Sequence, residues 1–190
     1  NAVEYAVQKK GVKGIKLTPD HWYPYEERLF PVYRKIEELR KPILFHSGDL
    51  WAFRDSCRFC RPTFYEVMIH FPKVKFAMAH MGWTWTDECI AMAGRMRNII
   101  TEDPTQKREM QMYLDITAIP HPWRKDALYK ALSFIGADWM IFGSDHMTSN
   151  LAGEFFAKDQ TLIVDELGTG KDAFEKIAWK NFDAFLKQMA

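Results

Sequence analysis

The chain has 190 residues, 47% of them apolar and 15% aromatic, enough to bury a sizeable core. Lys and Arg number 26 against 25 Asp and Glu, and a net charge of +1 argues against a nucleic-acid surface or a polybasic membrane anchor. No apolar run approaches a membrane span, no signal peptide is visible, and three cysteines make no disulfide framework, so a cytoplasmic setting is the expectation.

The sequence starts at Asn1, not at Met, and residues 2–10 read as the end of a helix already under way. The first short apolar run follows at 12–17. A helix is predicted over 26–40, with Leu29, Tyr33, Ile36 and Leu39 at helical spacing and Pro31 in its first turn. The second run, 42–45, ends in His46-Ser-Gly, and a helix over 62–70 is entered by Pro62 and closed by Pro72. The third run, 74–79, ends in His80-Met-Gly. Thr86-Asp-Glu, a hydroxyl cap followed by acids, starts a helix through Ile90, Ala93 and Met96. The fourth run is 112–117, after which Pro122 opens a helix to about Ile135. The fifth run, 139–142, ends in Gly143-Ser-Asp145. Helices over 151–167 and 171–189 close the chain, punctuated by Gly168 and Gly170.

Strands alternating with helices imply parallel pairing, because each crossover returns the chain to the same end of the sheet. Near-continuous apolar strands fit a sheet covered by helices. The 190 residues read as a single domain. Five strand–helix units are about three short of a complete (β/α)8 barrel. A five-stranded open sheet fits the same count.

Three of the runs stop at a residue able to bind metal: His46, His80 and Asp145. In parallel α/β folds ligands bind at the carboxyl ends of the strands, where side chains distant in sequence converge. Imidazole and carboxylate together suit zinc, iron or manganese. Gly48 and Gly82, two residues beyond the histidines, let the backbone turn sharply. Singly, each histidine reads equally as a loop residue bonded to backbone, and Asp145 as a turn former. Three in equivalent positions read as a shared site.

Gly14-Ile-Lys-Leu17, Pro42-Ile-Leu-Phe-His-Ser-Gly48, Ala79-His-Met-Gly82 and Phe142-Gly-Ser-Asp145 resemble the amidohydrolase-related branch of the amidohydrolase superfamily, which includes aminocarboxymuconate-semialdehyde decarboxylase. Ile177-Ala-Trp-Lys-Asn181-Phe resembles the closing helix of that family. The resemblance implies a TIM barrel whose strands four to eight are present here, with about three N-terminal units missing from the sequence. It implies that His46 is a metal ligand on strand five and that His80, on strand six, is a ligand or an acid–base group. Asp145, on strand eight, would bind the metal and shuttle a proton. The implied cofactor is a divalent ion, zinc before others. The family's strand-one His-x-His pair is absent, which predicts weak metal binding by these residues alone. Met147 stands where many relatives carry proline. Such an ion lowers the pKa of its water from 15.7 to about 7, and a neighbouring carboxylate takes the proton.

Around this centre Lys16 should face opposite to Ile15 and Leu17 and enter the barrel, as a substrate contact or buried ion-pair partner. The bridging, carboxylated lysine of some amidohydrolases is the lesser reading, because this branch usually binds one metal. Arg54, Arg58 and Arg61 follow the second run, where they are either a clamp for a substrate carboxylate or solvated loop charge. Cys57 and Cys60 in the same loop lack the further ligands of a zinc knuckle. Trp22, Tyr23, Trp51, Phe53, Trp83 and Trp85 lie in post-strand segments, where aromatics wall a substrate, cover the barrel mouth or meet another subunit. Asp115 needs a partner inside its strand and orients site residues from behind. His21, His70, His121 and His146 read as surface or loop residues.

Three functions remain open. The leading one is a metal-dependent hydrolase of an amide, ester or lactone. A non-oxidative decarboxylase of an aromatic or unsaturated acid is the second. The third is a non-catalytic barrel remnant acting as a binding or assembly partner. The expected partner is a small carboxylate or carbonyl compound, with no nucleic acid and no membrane, in a protein compatible with a homodimer.

Overall fold

Five runs of strand-forming residues become five parallel strands among the described residues, hydrogen-bonded in the order in which the chain makes them. They are β1 (Ile15–Leu17), β2 (Ile43–Phe45), β3 (Phe76–Met78), β4 (Met112–Asp115) and β5 (Met140–Ile141). The computed structural model of the protein describes residues 2–51, 54–55, 57–103, 105, 111–146 and 149–187. The register is regular, with Ile15 beside Ile43, Ile43 beside Phe76, Phe76 beside Met112 and Leu114 beside Met140. Strand order decides between the two architectures that the count allowed. A doubly wound sheet reverses direction after its first strands, whereas a barrel adds each strand beside the last. Sequential β1-β2-β3-β4-β5 order is the barrel's, and the chain carries part of one.

The strands are shorter than the apolar runs that produce them, because the ends of the runs turn out of the sheet to form the loops. The helices are α1 (Ala2–Lys10), α2 (Phe30–Glu38), α3 (Thr86–Thr101), α4 (His121–Phe134), α5 (Ser149–Gln160), α6 (Lys171–Glu175) and α7 (Asn181–Leu186). Three details differ from expectation. The segment Pro62–His70, within the β2–β3 crossover, is a 3-10 helix. Thr86 is the first residue of α3, not its cap, since Trp85 holds the cap position and makes no side-chain bond there. The closing helices pass through π turns at Thr161–Glu166 and Lys176–Lys180.

Alternation along the strands sorts their side chains. Ile43, Phe45, Phe76, Met78, Met112, Leu114 and Met140 face the helices and are fully buried. Leu44, Ala77, Tyr113 and Ile141 face the other way, into the barrel, where Phe185 and Leu186 of α7 pack against them. The C-terminal helix therefore fills the interior that the strands enclose. It is also tied to β5: Phe142 N–H donates to Ile177 O at 2.8 Å, and Asn181 Nδ2 donates to the carbonyls of Ala137 and Met140, each at 2.7 Å. No helix among the described residues is long and apolar enough to cross a membrane.

Candidate active site

The site lies on the inner face, where the strands stop. His46 is the residue after β2 and shares the inward parity of Leu44. Its N–H extends the β1–β2 ladder by donating to Leu17 O at 2.8 Å, and its carbonyl accepts from the buried Tyr65 hydroxyl. Tyr65 in turn stacks on Phe45, with ring centroids 4.6 Å apart. Gly48 then turns the chain at φ 95°, and a Cβ there would lie 1.9 Å from Trp83 O. The β2 loop and the β3 loop therefore pack backbone to backbone, which only glycine permits.

His80 follows β3 in the left-handed region, at φ 61°, with Met81 after it at φ 45°. Asp145 also has a positive φ, 56°. Non-glycine residues held this way cluster at sites where geometry is prescribed by function. The His46 and His80 rings meet edge to face, 4.8 Å apart. His46, His80 and Asp145 line one cavity of about 390 Å³ with Asp49, Trp51 and Trp83.

Electrostatics set the proton inventory. Burial brings the His46 imidazole down to about 4, and His80 and Lys16 push the same way. His80 is lowered too, by burial first and Lys16 second, with Asp145 opposing. Both rings are neutral at pH 7, the form that binds a metal or accepts a proton. Asp115, at the inward end of β4, is raised to about 6 by burial, although two bonds from Thr117 and the charge of Lys16 resist. Lys16 faces inward as its strand parity requires. Desolvation lowers its ammonium, and Asp115 and Asp145 oppose that.

A bonded chain fixes the orientation of His80. Its Nδ1 lies 2.7 Å from Thr117 Oγ1, which lies 2.8 Å from Asp115 Oδ2. Thr117 N–H also donates to Asp115 Oδ1 at 3.1 Å. A hydroxyl has one proton to give. Spent on the Asp115 carboxylate, it obliges His80 to donate its Nδ1–H to the hydroxyl oxygen, which leaves the lone pair on Nε2. His46 is oriented more simply, by Nε2 against Asp49 O at 3.1 Å. Behind the loop, buried Arg124 pairs with buried Asp159 and donates to Ile116 O at 2.7 Å, pinning the segment that presents Thr117.

Other expected residues are placed as follows. Trp51 and Trp83 are in the cavity wall, and Lys16 stands beside it. The three arginines are not in the wall. Arg61 is paired with Glu88, Arg58 lies 3.4 Å from Asp55, and Arg54 is exposed. Cys60 is buried, its thiol donating to Pro19 O and pushed up to about 12 by burial, while Cys57 Sγ accepts from Leu50 N at 3.3 Å. Cys57 thus braces the loop before Trp51, and the Cys60 thiol braces the loop after β1. Phe53 and Met147 lie outside the described residues. Thr117, Asp49, Leu50, Ala118 and Pro120 were not singled out from sequence. Thr117 was accessible to it, being two residues beyond Asp115 and so on the same face.

The pattern of the Amidohydrolase family matches residues 1–186. The chain belongs to the amidohydrolase family. No curated protein matches it. Among solved structures, a TIM-barrel protein of Bordetella bronchiseptica superposes with a TM-score of 0.72 at 24% identity, covering 98% of this chain and 61% of that one. A candidate 2-pyrone-4,6-dicarboxylic acid hydrolase of Pseudomonas putida gives 0.63 at 14% identity, covering 97% and 67%. A 5-carboxyvanillate decarboxylase of Novosphingobium aromaticivorans, solved with manganese and 4-hydroxy-3-methoxy-5-nitrobenzoic acid, gives 0.65 at 14%, covering 97% and 59%. At these identities the likeness shows the fold. The chain spans about three fifths of the length of the first of them.

The donor types in the cavity, two imidazoles and two carboxylates, suit a divalent ion. Among the described residues no three His, Cys, Asp or Glu lie close enough together to hold one.

Proposed function

We propose that this amidohydrolase chain provides the catalytic strand ends of a metal-dependent hydrolase acting on an amide, ester or lactone. The observation that carries the reading is the meeting of His46, His80 and Asp145 in one cavity, with His80 held in the tautomer that leaves Nε2 unprotonated. In this reading His46 and Asp145 are ligands to a divalent ion, most naturally zinc, and His80 is a ligand or the acid–base group. When bound, the ion supplies Lewis acidity for a polarised carbonyl.

The chain's own residues do the rest. Asp145, on a left-handed turn at the open mouth, accepts a proton from the incoming nucleophile and returns it to the leaving group. His80 passes charge away from the reacting centre through Thr117 to Asp115, whose buried carboxyl lies near 6. Lys16 attracts the carboxylate or carbonyl oxygen of a small substrate. Trp51 and Trp83 supply an apolar wall for the substrate's hydrocarbon part. Nucleic acid and membrane have no part in this reading, and a cytoplasmic setting suits it.

A second reading, decarboxylation of an aromatic acid, is favoured by the same tryptophan wall beside a lysine. Zinc titration of the chain, and of the longest natural chain that contains it, followed by assay on esters, lactones and aromatic acids, separates the possibilities. Zinc-dependent hydrolysis lost in Asp145→Asn supports the first. Release of carbon dioxide from an aromatic acid supports the second. Neither activity in any metal-loaded form sinks both and leaves a binding role.

A further inference from the structure

Three tryptophans form a connected ledge that begins in the cavity and leaves it. The Trp51 and Trp83 rings lie 6.1 Å apart with planes at 49°, and Trp83 and Trp123 lie 5.7 Å apart at 54°. Trp83 is a wall shared by two hollows. On one side it lines the inner cavity with Trp51, His46 and His80. On the other it lines an outer hollow of about 470 Å³ with Trp85, Trp123, Asp87, Asp126 and Lys130, between the start of α3 and α4.

The ledge leaves two of its rings exposed, Trp51 of the inner cavity and Trp123 of the outer hollow. Trp51 is 82% exposed and Trp123 is 56% exposed, so two of the largest apolar side chains keep most of their surface in water beside a candidate site. Contiguous exposed aromatic surface rimmed by polar groups marks a place of contact. Its charges are already engaged: Lys130 lies 3.1 Å from Asp87 and 2.9 Å from Asp126. The rings are therefore the feature free to recognise a ligand. Tilted indole faces accept a flat aromatic group by offset or edge-to-face contact. The inner cavity offers a different chemistry: His46 and His80 line it, and the Lys16 ammonium lies within electrostatic reach of both.

We propose that Trp83 and Trp123 form an outer subsite for a planar aromatic substituent of the substrate, whose carboxylate or carbonyl end lies inward by Lys16. The substrate class is then an extended aryl carboxylate or aryl carbonyl compound, and Trp123 is a specificity-determining residue remote from the reacting atoms. The inference rests on the reading that the inner cavity binds substrate, though not on which reaction follows.

Binding tests it without turnover. The full chain is titrated with 2-naphthoate and, separately, with benzoate, following the indole N–H resonances of the seven tryptophans, assigned by Trp→Phe variants. 2-Naphthoate is expected to shift Trp83 and Trp123, and benzoate to leave Trp123 unmoved. Trp123→Ala should weaken 2-naphthoate by roughly 3- to 10-fold with benzoate unchanged, the range of one aromatic contact, and Trp123→Phe should keep most of the affinity. Failure of 2-naphthoate to bind, no shift at Trp123, or equal weakening of both ligands overturns the subsite. So does a concentration-dependent dimer, seen by sedimentation, that Trp123→Ala dissociates while naphthoate affinity stays the same. Expected binding with no hydrolysis or decarboxylation would leave the subsite standing and remove the enzymatic reading instead.

Discussion

The two faces of the sheet obey different rules. On the outer face Ile43, Phe45, Phe76, Met78, Met112, Leu114 and Met140 are sealed beneath helices, with no polar side chain among the residues that point there. On the inner face the apolar layer is thin, four strand residues capped by Phe185 and Leu186. Lys16 and Asp115 stand level with its members Leu44 and Ile141, and His46 and Thr117 follow beyond the strand ends. The faces are one residue out of step along the same strands. Stability is concentrated on one parity and titratable chemistry on the other, so a change of one position in sequence moves a mutation from one to the other.

That contrast can be broken most sharply at Asp145. Asp145→Asn is expected to lower turnover by at least about a thousand-fold, because it removes a proton acceptor and a candidate ligand together, while leaving the melting temperature nearly unchanged. Steady-state rates beside thermal unfolding check it, and retained activity contradicts the assignment.

Phe76→Ala tests the other face. Phe76 is fully buried in the outer core, so the substitution should cost about 3–5 kcal/mol by chemical denaturation. The inner-face neighbour Ala77 is also fully buried, yet Ala77→Gly should cost only about 1 kcal/mol, there being little side chain to lose. Similar costs at both positions would show that the faces are not so divided.

A pH experiment sharpens the comparison further. In the metal-free protein the His46 pKa falls from 6.5 in the unfolded chain to about 4 when folded. The unfolded state therefore binds the proton first as pH drops. The contribution of His46 is fully present above pH 6.5 and is lost as pH falls from there through about 4, by up to roughly 3 kcal/mol. His46→Gln should flatten that part of the stability profile. Asp115 runs the other way, since its raised pKa favours the protonated folded form and withdraws stability as pH rises from 3.8 through about 6. A profile unaltered by His46→Gln would show that this imidazole is not held neutral by burial.

Among the rate effects the smaller is expected at Thr117. Thr117→Val keeps the shape but removes the hydroxyl joining His80 to Asp115, and turnover should fall about 10- to 100-fold. The pH–rate profile should shift along with it, a change that a merely structural role would not produce.

Much of the site was legible in the chain because strand parity and strand ends are local properties. A period of two sets Lys16 opposite to Ile15 and Leu17, and a polar residue closing an apolar run marks where each strand stops. Helix existence was legible for the same reason, while the 3-10 winding of Pro62–His70 was not, since apolar spacing marks a helix without fixing its hydrogen-bond pattern. The arginines following the second run show the limit: charge and nearness in sequence suggested a clamp, but Glu88 on α3 holds Arg61. Composition and alternation alone determined a parallel α/β sheet with ligand-type residues at its carboxyl ends. Tertiary structure decided that the strands add in sequential barrel order, that Thr117 joins His80 to Asp115, and that Trp123 extends the wall begun by Trp51 and Trp83. Each of these depends on contact between segments dozens of residues apart, and no local periodicity encodes such a distance.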